Sequence, residues 1–375
     1  MKLLLGVPDL DRASGGLAVV AHRLAAELAA QSHAVTLAYS AAPDQPRLTL
    51  PAGVRSLEYP RQGSGWQRWR RARQQLQDWI ATEQPDLLHD HGIWAPENAA
   101  FQGSALAAGL PLVQQPCGML QDWPLQQSRR KKQLAWALYQ RRLLAGSASV
   151  IVTCEDERRE TATRLPAGPE LLHIAHGVDY PDPLPALTRQ RRAVYLGRLH
   201  PKKQVDVLLR AWARLRPAGW EFHIAGGGEP EHVRELHELV QREGLETVVR
   251  FLGPVQGAAK TELLASSQLF LQPSLQENFG LAIAEALAHG LPVLTTRATP
   301  WSEIEAQHCG WWIAPDEAAV QAALAQALAL GAEPLEAMGA RARQLAARYS
   351  WAETTRQTVA AYQRAIEHQR RKAVR

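Results

Sequence analysis

At 375 residues the chain is long for one domain and points to two or three, and its 46% hydrophobic and 21% charged content suits a globular protein with a large core. Cys117, Cys154 and Cys309 are odd in number and far apart, which argues against a disulfide framework, fits a reducing compartment and leaves no pair at metal-ligand spacing. The net charge of +5 is modest but clustered: Arg61, Arg68, Arg70, Arg71 and Arg73 surround Trp66 and Trp69, and Arg129, Arg130, Lys131, Lys132, Arg141 and Arg142 flank LAWALY, patches suited to anionic lipid, phosphorylated glycolipid or nucleic acid.

The opening run MKLLLGV stops at Pro8 and Asp9. It is too short for a signal peptide and reads as a first buried strand; no apolar stretch is long enough to span a bilayer. Gly15 and Gly16 precede the helical pattern GLAVVAHRLAAELAAQ, and AVTLAYS follows as a strand. Glycines between strand and helix let backbone N–H groups approach a diphosphate, although a ligand-free tight turn suits them equally. The Trp66–Arg73 patch reads either as a membrane-surface contact or as a helix with a solvated basic face and inward tryptophans. PDLLHDHG is a strand ending in His89, Asp90 and His91. Imidazoles there can act as base or hydroxyl partner, but successive strand residues point to opposite faces, so at least one of the three is structural. A segment over residues 98–107 and the strand LPLVQQP lead to Cys117 and Gly118. The glycine is open to close approach by substrate; the thiol has no sequence neighbour that lowers its pKa and reads as packed and inert. SVIVTC, a short helix and ELLHIAHGVD complete this βα series.

Residues 180–192, YPDPLPALTRQRR, read as an exposed connector, after which the alternation restarts with AVYLGRL. Both halves therefore read as doubly wound α/β domains with parallel sheets, and ligands belong at the carboxyl ends of the strands. Arg198 and Lys203 follow the first strand of the second half, where two cations can grip a diphosphate; Lys202 between them reads as solvated. Gly226, Gly227 and Gly228 follow FHIA and suit either a nucleotide-flanking or a flexible loop. The richest segment is SLQENFGLAIAEALAHGLPVLTT. It sets Glu277 in a turn and Glu285 two turns into the next helix, so that carboxylates for sugar hydroxyls flank a helix start suited to phosphate.

With these pieces placed, the chain resembles the GT-B glycosyltransferases of family 4 over nearly its whole length. The match rests on the E-x7-E motif from Glu277 to Glu285 with Asn278, Phe279, Gly280 and Leu281 between. It rests also on GRLHPKKQVD, where Gln204 replaces a usual Gly, on HIAHGVD, where His176 replaces a usual Asn, and on the Gly15–Gly16 loop. GML-x-x-W followed by basic residues is similar to members that build lipopolysaccharide or capsule.

The resemblance implies two Rossmann-like domains facing across a cleft, with a final helix crossing back to the first. Residues 1–178 with 352–375 would bind acceptor, 190–351 would bind donor, and 179–189 would link them. It implies a retaining, metal-independent, cytoplasmic or membrane-peripheral transferase that needs no cofactor. Glu277, Arg198 and Lys203 would be catalytic. Gly15, Gly16, Arg198, Lys203, Gly226, Asn278, Phe279, Gly280, Leu281 and Glu285 would hold the nucleotide sugar, and His91 and Gly118 would lie on the acceptor side. The acceptor would be a phosphorylated or lipid-linked glycan, with anionic membrane contact through the Arg/Trp clusters. A sugar-nucleotide epimerase or soluble glycan synthase is the alternative within the fold. A nucleic-acid-binding protein is the alternative outside it, but the basic clusters lie in separate segments and no nucleic-acid module motif is present.

Overall fold

The computed structural model describes residues 1–11 and 15–373. The chain divides into two compact units, Met1–Gly177 with Trp351–Arg375, and Val178–Ser350. The first carries a seven-stranded parallel sheet in the order β3-β2-β1-β4-β5-β6-β7. Its strands are β1 (Lys2–Asp9), β2 (Ala34–Ala41), β3 (Val54–Pro60), β4 (Leu87–His91), β5 (Leu112–Gln115), β6 (Ser149–Val152) and β7 (Glu170–His173). The second carries a six-stranded parallel sheet in the order β10-β9-β8-β11-β12-β13. Its strands are β8 (Arg192–Leu196), β9 (Glu221–Ala225), β10 (Val249–Gly253), β11 (Leu269–Gln272), β12 (Val293–Thr296) and β13 (Gly310–Ile313).

Helices cover both faces of each sheet, so the inner strands are apolar along their length rather than alternating. Leu3, Leu4 and Leu5 of β1 and Val150, Ile151 and Val152 of β6 are all buried. In the second unit the helix Val205–Leu215 lays Leu208, Leu209 and Trp212 on the sheet, and Trp212 stacks on Phe222 at 5.2 Å. The C-terminal helix Trp351–Ala373 belongs to the first unit: the Thr354 hydroxyl donates to the Ala175 carbonyl at 3.0 Å, and the Tyr362 hydroxyl lies 2.6 Å from His89 Nδ1.

β3 has no counterpart in the sequence reading, and the helix Gly65–Glu83 is the helical alternative for the Trp66–Arg73 patch. β3 is an edge strand with mostly exposed side chains, so it lacks the apolar run that marks its neighbours. The helix carries the Trp/Arg cluster and starts at a capping box between Ser64 and Gln67. Trp69 packs against the core while Trp66 is 62% exposed. Most of the cluster's charge has local partners. Arg61 pairs with Asp9 and Asp11, Arg68 makes a bidentate bond at 2.8 Å to buried Glu97, and Arg71 donates to the Pro60 carbonyl. Arg70 and Arg73 lie over the rings of Trp66 and Trp69.

In both sheets the strand order reverses direction once, between β1 and β4 and between β8 and β11. Beyond the carboxyl ends of β8 and β9, loops pack backbone on backbone. Gly197 N–H donates to Ala225 C=O, Gly226 N–H to Gly253 C=O and Leu199 N–H to Gly227 C=O. A Cβ at Gly226 would lie 1.8 Å from the Gly197 carbonyl oxygen, and one at Gly228 would lie 2.2 Å from that of Leu199. Close approach, rather than loop flexibility, explains the glycine cluster, and it fixes the path of Arg198 to Lys203. Gly226→Ala is expected to cost about 3 kcal/mol or more, because the obstructing atom is backbone and cannot swing away. Denaturant unfolding of the purified variant measures this, and an unchanged midpoint would refute the packing role.

Candidate active site

The reversal between β8 and β11 is where an open parallel sheet leaves a crevice for ligand. Lys203 reaches this crevice from a 3-10 turn, Pro201–Lys203, after β8. Glu277 reaches it from the loop after β11, and the two side chains form an ion pair with only 12% and 10% exposure. The loops are tied together where Leu275 N–H donates to Lys202 C=O at 2.8 Å. Lys202, expected in solvent, is half-buried, and its pKa is lowered by burial and by the charge of Lys203.

Glu277 Oε1 also accepts from Gln272 Nε2 and Ser274 Oγ, each at 2.7 Å. Burial pushes its pKa up, but the Lys203 charge and the hydrogen bonds from Lys203 and Ser274 prevail, so it lies below the usual carboxylate range. Three donors converge on Oε1, and among the described residues none reaches Oε2. Glu285, inside the helix Leu281–Ala288, shows the same arrangement: Lys260 Nζ donates to its Oε1 at 2.6 Å. Gln272, Ser274 and Lys260 were missed in the sequence. Gln272 and Ser274 stand just before the motif and were legible as hydroxyl and amide groups at a strand end, whereas Lys260 lies 25 residues before its partner with no local signal.

Between the glutamates, Gly280 has φ +83° and caps the helix, a conformation that favours glycine. Leu281 opens the helix, whose first N–H groups have no intrahelical acceptor. Phe279 is not available to solvent. It packs on Trp301 and Tyr349 at 5.4 and 5.7 Å between ring centroids, and Trp301 Nε1–H donates to its carbonyl. Asn278 lies half-buried in the same loop. Arg198 is exposed, and among the described residues its side chain has no ion pair.

In the first unit, Gly15 (φ +75°) caps the helix that begins at Gly16, following residues 12–14, which lie outside the described residues. His91 is fully buried and its Nδ1 lies 3.1 Å from the Gly6 carbonyl; its ring stands 4.2 Å from that of His89. Gly118 (φ +81°) is buried too, its N–H held by the carboxylate of Glu157, which also accepts from Thr153 N–H and Oγ1. Both candidates on the acceptor side therefore have structural partners. The Cys117 thiol is pushed far up by burial and by the charges of Glu157 and Asp90, away from reactivity.

Asp90 is sealed beneath this strand end with no cation. Asn98 Nδ2 reaches both its oxygens at 2.9 and 3.0 Å and Gln102 Nε2 one of them at 2.7 Å. Burial raises its pKa to about 7 against these hydrogen bonds. Burial lowers His91 to about 4 and His176 to about 3, and His89 falls well below its usual value. Among the described residues, no group of three His, Cys, Asp or Glu side chains is placed to hold a metal ion.

Residues 190–330 match the family described as Glycosyl transferases group 1, and residues 15–177 match the Glycosyl transferase 4-like domain. A D-inositol 3-phosphate glycosyltransferase of Jonesia denitrificans is 30% identical over 242 residues, covering 58% of this chain and 57% of the relative. The chain spans about half the length of the curated relatives it matches. Among solved structures, WaaG, a glycosyltransferase involved in lipopolysaccharide biosynthesis, superposes with TM-score 0.73 and 19% identity over 95% of this chain and 98% of its own. HepE of Anabaena, in complex with UDP and glucose, superposes with TM-score 0.71 and 19% identity over 96% and 98%.

Breaking the Lys203–Glu277 pair from the lysine side strands a buried carboxylate, so Lys203→Ala is expected to cost about 2–4 kcal/mol, part of which returns in the double variant with Glu277→Gln. A double-mutant cycle by denaturant unfolding measures the coupling; additive losses would contradict it.

The buried imidazoles also set an acid limit. Their folded pKa values are depressed, so their contribution is present above about pH 6.5 and is lost as pH falls toward 4. Asp90, raised to about 7, contributes oppositely over that range but is outnumbered by His89, His91 and His176. Each unbalanced proton is worth about 1.4 kcal/mol per pH unit. Unfolding free energy at about pH 5.5 should fall below that at about pH 7.5, and His176→Gln should shrink the difference. Equal values at the two pH settings would rule out neutral buried imidazoles.

Proposed function

Because the chain belongs to the group 1 glycosyltransferases, with the paired Rossmann-like domains of the GT-B fold, we propose that it transfers a sugar from a nucleoside-diphosphate sugar to a phosphorylated or lipid-linked glycan, with retention and without metal. The observation that carries this is the Glu277–Lys203 pair at the β8–β11 reversal, beside the Arg198 loop. In this reading Arg198, Lys203 and the first N–H groups of the helix Leu281–Ala288 take the diphosphate. Glu285 takes ribose hydroxyls through the oxygen that Lys260 leaves open, and Glu277 takes sugar hydroxyls beside the reacting carbon.

As the nucleoside diphosphate leaves, negative charge grows on its phosphates, and fixed cations and N–H donors stabilise it in place. The acceptor hydroxyl attacks the same face and passes its proton to a departing phosphate oxygen. A solved neighbour holding UDP and glucose supports the donor class. A relative named for inositol 3-phosphate supports an acceptor bearing phosphate. The enzyme would work in the cytoplasm, where free Cys117, Cys154 and Cys309 persist. Trp66, with Arg70 over its ring, would touch an anionic membrane surface. No helix among the described residues is long and apolar enough to cross a membrane.

A thermal-shift series with UDP, GDP, ADP and dTDP tests the donor site: one nucleotide at a hundredfold excess over its Kd should add about 2.7 kcal/mol, less in Glu285→Ala. Arg198→Ala, at an exposed site without an ion pair, should keep the fold and lose about 10²- to 10³-fold in kcat, with turnover unaffected by EDTA and the product anomer matching the donor by NMR. Wild-type kcat in Arg198→Ala at saturating donor would sink the diphosphate role.

A further inference from the structure

A second site lies wholly within the first unit. The helices Asp122–Gln126, Arg129–Ala135 and Arg141–Ala145 border an open cavity of about 640 Å³. Its rim and walls carry Arg129, Lys132, Arg141 and Arg164, against a single carboxylate, Asp122. Asp122 is already paired with Arg164, so those two charges cancel. Arg129, Lys132 and Arg141 have no ion pair among the described residues. Lys132 is half-buried; its Nζ donates to the Pro124 carbonyl and stands 5.8 Å above the Trp94 ring, and burial lowers its pKa. A partly desolvated ammonium without a counter-charge, with one guanidinium group a helical turn away and a second farther along the same concave wall, attracts an anion.

The rest of the wall is aromatic and apolar. Trp94 and Trp136 line it with Leu120 and Leu125. Such faces gain by covering the C–H face of a sugar ring. Trp136 begins a π-helical turn, Trp136–Gln140, inserted between the two basic helical segments. A π turn costs regular helix hydrogen bonding and occurs often at functional sites. Here it is pinned from beneath: Gln140 Nε2 donates to Gln102 Oε1 at 3.0 Å, and Gln102 to Asp90 at 2.7 Å. The buried Asp90 network thus holds the turn that separates Arg129 from Arg141.

We infer that this cavity binds a phosphorylated sugar, its phosphate on Lys132 and Arg129 one turn away, its ring against Trp136, with Arg141 adding positive charge from farther along the same wall. Calling this ligand the acceptor rests on the glycosyltransferase reading; the anion site itself does not. Isothermal titration of the full-length chain without nucleotide tests it. Glucose 6-phosphate should bind more tightly than inorganic phosphate and far more tightly than glucose, and more weakly as salt rises. Arg129→Gln with Arg141→Gln should weaken glucose 6-phosphate at least about tenfold, Trp136→Ala should remove its advantage over phosphate, and Arg130→Gln, outside the cavity, should change neither. Competition by phosphatidylcholine vesicles carrying phosphatidylinositol 4-phosphate would assign the phosphate to a lipid headgroup, and absence of competition to a soluble sugar; the site stands in both cases. Failure of glucose 6-phosphate to bind, binding no tighter than phosphate, or unchanged binding in the double variant would overturn it. Nucleotide stabilisation is read separately, so loss of either result leaves the other interpretable.

Discussion

The second unit is organised around one buried charge. Glu277 is nearly out of water, and a carboxylate there persists only with a cation and converging donors. Lys203 meets it because β8 and β11 are neighbours, and they are neighbours because the strand order reverses between them. Everything upstream serves that meeting: the backbone contacts at Gly197, Gly226 and Gly228 fix the Lys203 loop, and Gln272 and Ser274 fix the carboxylate. The pair is close to neutral as it stands. In the proposed reaction a diphosphate competes for Lys203, and Gln272 and Ser274 keep Glu277 in position while the lysine is shared. A carboxylate held by lysine alone would swing when the lysine turned.

Glu285 repeats the principle at lower burial. Lys260 comes from a separate helix, Gly257–Ala265, so its effect on Glu285 is tertiary. Each glutamate has one oxygen committed to a lysine and one uncommitted, an arrangement that orients a hydrogen-bond acceptor before any ligand arrives. The first unit solves a related problem differently. Asp90 has amide donors instead of a cation, and burial drives it toward protonation.

How much of this was readable in the sequence follows from where the information is local. Continuous apolar runs such as LLLGV and SVIVTC mark strands buried on both faces, and the restart after residue 192 marks a second sheet. The loop–helix placement of Glu277 and Glu285 was legible because Asn278-Phe279-Gly280 is a turn and AIAEALA a helix. β3 was not, because an exposed edge strand carries no apolar signature. Nor was the reason for the glycines at 226 and 228, which depends on a loop nearly thirty positions earlier in the chain. Phe279 looked like part of a ligand loop, yet its ring packs on Trp301 and Tyr349, residues that periodicity cannot bring together.

Charge shows the same limit most clearly. Along the sequence, Arg61–Arg73 and Arg129–Arg142 are equivalent basic clusters with tryptophan between. In three dimensions they part. Arg61, Arg68 and Arg71 are consumed by Asp9, Asp11, Glu97 and backbone carbonyls, so that cluster is largely a structural brace with Trp66 left outside. Among the described residues, Arg129, Lys132 and Arg141 have no carboxylate partner, and they line one concavity. A formal charge attracts a ligand only to the extent that the protein has not already neutralised it, and a concave low-dielectric wall strengthens what remains. The number of arginines in a window therefore says little about binding; the count of carboxylates that fold back onto them decides it, and the second cluster keeps more of its charge for an anion.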